Sequence, residues 1–445
     1  MVPAKAEWTV MVFLNADNNL EPFSLRDFAE MAKVGSSDKV NIILQYDRNY
    51  RYDEHPQPKS ECFRYRVTKG MEPLATNALP PPLGNTNMGD GKVLGDFVAW
   101  AMKTYPAKRY MLDIWDHGQG WRMREVRTVV GSEEEVTAYR DFRRDAMLVH
   151  ETRSADGSDV EEVMPAFSSM EGIAPDQVLE SVVRYCSVDE TSKDKLFNRE
   201  IQDSLMKVLH AQKLDLVGFD CCLMSMVETA YAMRNVAKVM VGSEELEPGN
   251  GWNYADWLDQ LVAKPTMTAV QLGKVLVDSY RKTYQAVAPD TTMSAVDLAR
   301  LPDVALAVDK LAQVLCAKLP TELADIKKAR NNCKTFAPGF GLHGIDLMHF
   351  SQELAGTAHD AAIKNEAMSV FKATKASVLA NYVGSARLDG FGAQGLAIYF
   401  PAGRALFKTD PDGQGYVKTN TTYPVEFVQT QHWADFLAEY YQRVP

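Results

Sequence analysis

Long apolar runs, paired cysteines, histidine and surplus positive charge are all scarce in this sequence, and each shortage excludes something. No stretch of about 18 apolar residues occurs, so neither a transmembrane helix nor a membrane partner is expected. Six cysteines in 445 residues, Cys62, Cys186, Cys221, Cys222, Cys316 and Cys333, are too few and too scattered for a disulfide framework. None forms a CxxC pair, so no metal ligands are assigned. With 48 Lys+Arg against 59 Asp+Glu the formal net charge is −11, which argues against a nucleic-acid partner and favours cationic ligands. The opening "MVPAKAEWTV" lacks an apolar segment followed by a small-residue cleavage site and enters a strand pattern at once. The expected location is cytoplasmic if the chain is complete and secreted if a leader was removed.

What is present is a globular composition, 46% hydrophobic and 24% charged, on a chain long enough for a large core. Continuous apolar runs of strand length occur at 8 to 16, 39 to 47, 109 to 116, 214 to 220 and 236 to 245. Unbroken rather than alternating runs mark strands buried on both faces, as in a parallel sheet. Helical patterns lie between them at 20 to 34, 91 to 106 and 223 to 236. The fold class that follows is α/β, a mostly parallel sheet flanked by helices on both faces, whose ligands sit beyond the carboxyl ends of the strands. A less regular α/β portion, 265–445, completes the fold after a core of 1–264; its strand candidates are 291 to 301, 339 to 350 and 395 to 403, with a helical stretch at 303 to 330. The proline-rich "NALPPPLGNTN" (77 to 87) is expected to be a loop.

Only eight histidines occur, and one stands in "YMLDIWDHGQGWR" (110 to 122), at the end of the third strand. Gly118 and Gly120 beside His117 free the backbone to turn and to offer N–H groups. The fourth strand ends in the same way: "LDLVGFDCCLMSM" places Asp220, Cys221 and Cys222 past the strand and before a predicted helix, whose N-terminus would favour a thiolate. An imidazole and a thiol at neighbouring strand ends are the minimum for thiol nucleophilic catalysis. Two other motifs carry less. "GFGLHG" (339 to 344) fits GxGxxG, but no strand precedes it, so dinucleotide binding is set aside. Leu223, Met226, Val227, Ala230 and Met233 fall at helical spacing and read as a buried helix face.

"WTVMVFLNADNNLE", "WDHGQGW", "DLVGFDCCLMSMVETAY" and "SEELEPGNGWNY", with "DETSKDKLFNREIQDSL", "GLAIYFP" and "WADFLAEYY", together resemble the motifs of the clostripain family of cysteine peptidases, relatives of caspases, gingipains and legumain. The resemblance implies a caspase-like fold and a Cys/His dyad of Cys222 and His117, with the amides of Gly118 and Cys222 as the oxyanion hole. Cys221 stands where the family commonly has alanine. The implied activity is cleavage after Arg or Lys of protein or peptide substrates through a thioester intermediate, with no cofactor required. Clostripain itself is associated with calcium, yet no Asp/Asn-rich calcium loop with a closing Glu is visible here. The alternative is a catalytically silent caspase-like protein that binds peptides or regulates a partner; it predicts loss of a dyad residue, and both are present. A thiol-based metal or redox protein built on Cys221 and Cys222 is a third reading.

The implied primary pocket contains Asp220, and the family's second aspartate, in a "PGDGW"-like segment, is Asn250 here. Glu244, Glu245 and Glu247 are the nearby candidates to restore the lost charge, Glu247 foremost. The second departure is a charge-dense insertion, 123–195, between the dyad residues. In the family the corresponding region is where a single chain is cut to release the site, by itself or by an activating protease. Arg140, Arg143, Arg144, Arg153, Lys193 and Lys195 are the candidate cutting positions.

Overall fold

The computed structural model describes residues 5–49, 61–118, 186–337, 343–385, 392–410, 415–421 and 424–444. Its strands are β1 (Ala6–Ala16), β2 (Val40–Arg48), β3 (Cys62–Arg66), β4 (Leu79–Gly84), β5 (Ala107–Trp115), β6 (Cys186–Asp189), β7 (Asp194–Leu196), β8 (Leu214–Asp220), β9 (Ala237–Gly242), β10 (Thr292–Asp297), β11 (Gly344–Asp346), β12 (Val378–Val383) and β13 (Ala397–Tyr399). A 9-stranded sheet runs in the order β12-β10-β9-β8-β5-β1-β2-β3-β4. Its centre, β2-β1-β5-β8-β9, is parallel throughout. Antiparallel strands extend it at both edges. The later part of the chain therefore contributes β10 and β12 to the same sheet.

The unbroken apolar runs reflect burial on two sides. In β1, Trp8, Val10, Val12 and Leu14 point into one core, whereas Met11 and Phe13 point into the other. This is the two-residue period of a strand expressed between two apolar layers. The first core is closed by the helices Glu21–Val34, Tyr254–Ala263 and Ala269–Tyr284, through residues such as Phe28, Trp257 and Leu272. The second is closed by Gly91–Thr104, Asn198–Leu209, the long Leu301–Asn332 and the C-terminal Trp433–Arg443. Among the described residues no helix is long and apolar enough to cross a membrane.

Three local expectations change. The proline segment is not only loop: Leu79–Gly84 pairs antiparallel with β3 as the outermost strand. Proline is tolerated there because an edge strand has one side on which no N–H is required. Of the predicted strand at 339 to 350, residues 339–342 lie outside the described residues; from 343 on the strand is Gly344–Asp346, after which Asp346 caps the helix Leu347–Thr357 by accepting from His349 N–H at 2.5 Å. The predicted helix after Cys222 begins only at Val227.

Candidate functional site

The parallel ladder places Trp115 opposite Asp220, so Asp116-His117-Gly118 and Cys221-Cys222 leave the sheet side by side. Asp116 N–H extends the contact by donating to the Asp220 carbonyl at 3.3 Å. Gly118 is required where the two loops meet. A Cβ built on it would lie 2.4 Å from the Cys222 carbonyl oxygen and 2.5 Å from Cys221 Cβ, closer than carbon tolerates. Gly118→Ala is therefore expected to cost about 1–3 kcal/mol of stability through overpacking, and to push Cys222 from its position. Urea denaturation together with the labelling rate of Cys222 checks both; an unchanged midpoint and rate would show that the loops part freely.

The adjacent cysteines face different surroundings. Cys221 is 2% exposed and its thiol donates to the Ile114 carbonyl at 3.0 Å. Cys222 is half-buried, and its sulfur accepts from Glu247 N–H at 3.2 Å. Because the helix starts at Val227, Cys222 does not sit at a helix N-terminus, and the expected dipole assistance to a thiolate is absent. Burial, then the neighbouring Glu247 carboxylate, pushes its thiol up to about 12. Burial likewise pushes the His117 imidazole down to about 4. The resting pair at neutral pH is a thiol and a neutral imidazole.

Several hydrogen bonds hold the histidine loop. The Asp116 carboxylate accepts from His117 N–H at 2.5 Å, from Val188 N–H at 2.6 Å and from Asn18 Nδ2 at 2.8 Å. His117 Nε2 lies 2.7 Å from Asn19 Oδ1. Asp17 accepts from the backbone and hydroxyl of Thr191, so the β6-β7 hairpin is tied to the same strand ends. None of these partners was singled out in the sequence, although Asn18 and Asn19 lie within a motif that carries the family resemblance.

Below Cys222 lies a buried acidic group. Asp220 Oδ2 accepts from Trp252 N–H at 3.1 Å, and the Tyr254 hydroxyl, with one hydrogen to give, lies 2.9 Å from Asp220 Oδ2 and 2.6 Å from Asp113 Oδ2. Glu247 accepts from Trp252 Nε1 at 3.1 Å. Burial, followed by the Asp113 carboxylate for Asp220 and the Asp220 carboxylate for Glu247, holds these two well above the usual carboxylate range, and burial raises Asp113 to about 7. Glu247 Oε1 and Asp113 Oδ1 are buried without a hydrogen-bond partner among the described residues. Asn250 is also buried, with its Nδ2 unpartnered. Glu244 and Glu245 are used elsewhere: Glu244 accepts from Gly395 N–H, and Glu245 from Ala337 N–H. Asp113 was missed in the sequence, though an acid inside the apolar run "YMLDIW" was the available signal.

Of the candidate cutting positions, Arg140, Arg143, Arg144 and Arg153 lie outside the described residues. Lys193 is exposed in the turn between β6 and β7, whereas Lys195 is buried within β7. Asp17, Asp47 and Asp189 are buried carboxylates, with Asp17 Oδ1 and Asp47 Oδ2 unpartnered among the described residues, but the group there whose ligand atoms lie close enough together for a cation is Glu322, Asp325 and His359, far along the chain from the dyad candidates. Burial and then Asp189 raise Asp17 to about 9, and burial holds Asp47 well above its usual range.

Fold and site together define an α/β protein with a thiol and an imidazole on adjacent strand ends next to a buried acidic group. The chain belongs to the clostripain family, whose sequence profile matches residues 12–161 and 171–440. Clostripain of Hathewaya histolytica is 26% identical over 389 residues, covering 78% of this chain but 61% of that protein, less than two thirds of its length. Among solved structures, a secreted C11 cysteine protease from Bacteroides thetaiotaomicron, in complex with an irreversible peptide inhibitor, superimposes with a TM-score of 0.58 at 17% identity, covering 94% of this chain and 98% of that one. An inactive zymogen C11 protease from Parabacteroides distasonis gives 0.56 at 16% identity, over 93% of this chain and 97% of that one. At these identities the structures support the fold.

Proposed function

We propose that the chain is a cysteine endopeptidase that cuts peptide bonds after arginine or lysine. The carrying observation is the half-buried Cys222 thiol, set beside the His117 strand end and against Glu247, whose carboxylate, like that of Asp220, is buried and bonded to Trp252. A substrate guanidinium or ammonium supplies the positive charge that these carboxylates lack. His117 takes the Cys222 proton as sulfur attacks the scissile carbonyl, and the amides of Gly118 and Cys222 receive the oxyanion. The imidazolium then protonates the leaving amine. Water, deprotonated by His117, hydrolyses the thioester and restores the thiol.

Activation by a cut within 123–195 is part of the reading, at the hands of this enzyme or of an activating protease. Lys193, exposed in its turn, is the better of the two described candidates, because Lys195 is reached only by opening the hairpin. A tethered basic loop occupies an acidic pocket efficiently, since its local concentration is on the order of millimolar. Calcium is retained as a ligand with no position assigned to it, and the chelator arm of the test reports on it.

The test incubates wild type and Cys222→Ala with calcium or with chelator, follows fragment masses, and then assays peptide amides ending in Arg, Lys, Leu or Glu. Fragments in the wild type alone and hydrolysis confined to Arg and Lys are expected. An intact and fully active single chain removes the activation step. No hydrolysis even after limited tryptic nicking favours the silent, peptide-binding alternative.

A further inference from the structure

Two consecutive asparagines meet two consecutive residues of the histidine loop. Asn18 holds the backbone of that loop through Asp116, while Asn19 contacts the ring itself. The asparagine segment is well fixed. Asn18 Oδ1 accepts from Leu20 N–H at 2.8 Å, Asn15 Oδ1 accepts from Asp17 N–H at 3.2 Å, and Glu21 N–H donates to the Asn18 carbonyl at 3.2 Å. Asn19 therefore projects from a hydrogen-bonded turn between β1 and the helix Glu21–Val34.

We infer that Asn19 is a positioning residue for His117, accepting from Nε2–H and thereby leaving Nδ1 as the nitrogen that takes the Cys222 proton. With the amide oxygen toward the ring, Nε2 must carry the hydrogen, because Asn Oδ1 can only accept. A neutral imidazole then has its one lone pair on Nδ1. The acceptor being an amide is itself consequential. A carboxylate in the same place would favour the imidazolium and raise the ring's basicity, leaving less of it neutral and ready to accept a proton at a given pH, whereas an amide fixes the ring without adding charge. Asp116 lies on the histidine's own loop, and Asp220 and Cys222 stand at the end of the neighbouring strand β8; burial is the one cause that displaces the ring's titration. The Asp116 carboxylate is already engaged by three donors.

This inference rests on the reading of Cys222 and His117 as the catalytic pair, so the test has a readout that needs no turnover. Full-length wild type, Asn19→Ala and Asn19→Asp, labelled with 15N-histidine, are compared by long-range proton–nitrogen NMR and by the pH dependence of Cys222 alkylation with iodoacetamide. Wild-type His117 is expected as the Nε2–H tautomer. Asn19→Ala should lose on the order of 10–100-fold in kcat with KM little changed. Asn19→Asp, close in size and still an acceptor, should retain the ring orientation and move the acid limb of alkylation upward by roughly one to two pH units. An Nδ1–H tautomer in the wild type overturns the assignment, as do variant pH profiles that superimpose on wild type. A wild type that responds in these ways yet cleaves no peptide defeats the peptidase reading and leaves the positioning role standing.

Discussion

Cys222→Ala and His117→Ala should each lower hydrolysis of an arginyl peptide amide by about 10⁴-fold or more, whereas Cys221→Ala should retain most of it. The asymmetry follows from where the two sulfurs lie. Cys221 packs behind the sheet and donates to the Ile114 carbonyl, so its truncation costs on the order of 1 kcal/mol of stability and no chemistry. Cys222 is half-buried against Glu247, more accessible than Cys221. Because the thiol sits at about 12 and the imidazole at about 4, neither is charged at pH 7, and the proton moves only as the carbonyl is attacked. The sign for pH follows. Protonating His117 removes the base, and with its titration displaced downward by burial, alkylation of Cys222 by uncharged iodoacetamide should persist as the pH falls well below 6, failing toward 4. Steady-state kinetics of the three variants and the alkylation profile of the wild type check these points. An active Cys222→Ala beside a dead Cys221→Ala would show that the other sulfur is the nucleophile.

The parallel centre of the sheet was legible because burial on both faces writes one unbroken apolar run per strand, as in "WTVMVFLNA" and "LDLVGFD". Less legible were features decided by distant partners. Leu79–Gly84 is extended because β3 lies beside it, not because of anything in its prolines. The residues from Leu223 to Met226 have helical spacing and are buried, yet they pass through a left-handed Leu223, and Ser225 N–H bonds to the Ser243 carbonyl before any helix begins. Helical periodicity in a short apolar stretch reports burial as well as helix, and here only the burial applied. The dyad candidates stood out because a histidine between small residues and a cysteine after a strand are locally unusual. Asn19, Asp116 and Asp113 did not, since their significance lies in contacts with residues far along the chain.

Specificity carries the second large effect. Asp220→Asn should lower kcat/KM for arginyl and lysyl substrates about 100-fold, about 2.7 kcal/mol of transition-state binding, while Asn250→Ala changes it only a few-fold. Asparagine is the informative replacement at 220, since it keeps an oxygen for Trp252 N–H and the Tyr254 hydroxyl and removes only the charge. Glu247→Gln should act in the same direction, because Glu247 and not Asn250 supplies the second carboxylate facing Asp220 through Trp252. Burial first, and then the neighbouring carboxylates for Asp220 and Glu247, keep these acids protonated to higher pH than usual, and burial puts Asp113 at about 7. A cation binds the ionised form, so its affinity should rise as pH increases through neutrality and should release protons, which calorimetry of a small guanidinium ligand in buffers of different ionisation enthalpy detects. Asn250→Asp adds a further acid to a cluster already short of positive charge. It should sharpen discrimination for arginine over leucine by roughly 10-fold once the substrate is bound, at some cost in stability of the empty pocket. A wild type that prefers acidic or large apolar residues at the cleaved position, or an Asp220→Asn enzyme that keeps its rate on arginyl substrates, would mean that these carboxylates serve the fold and not the substrate.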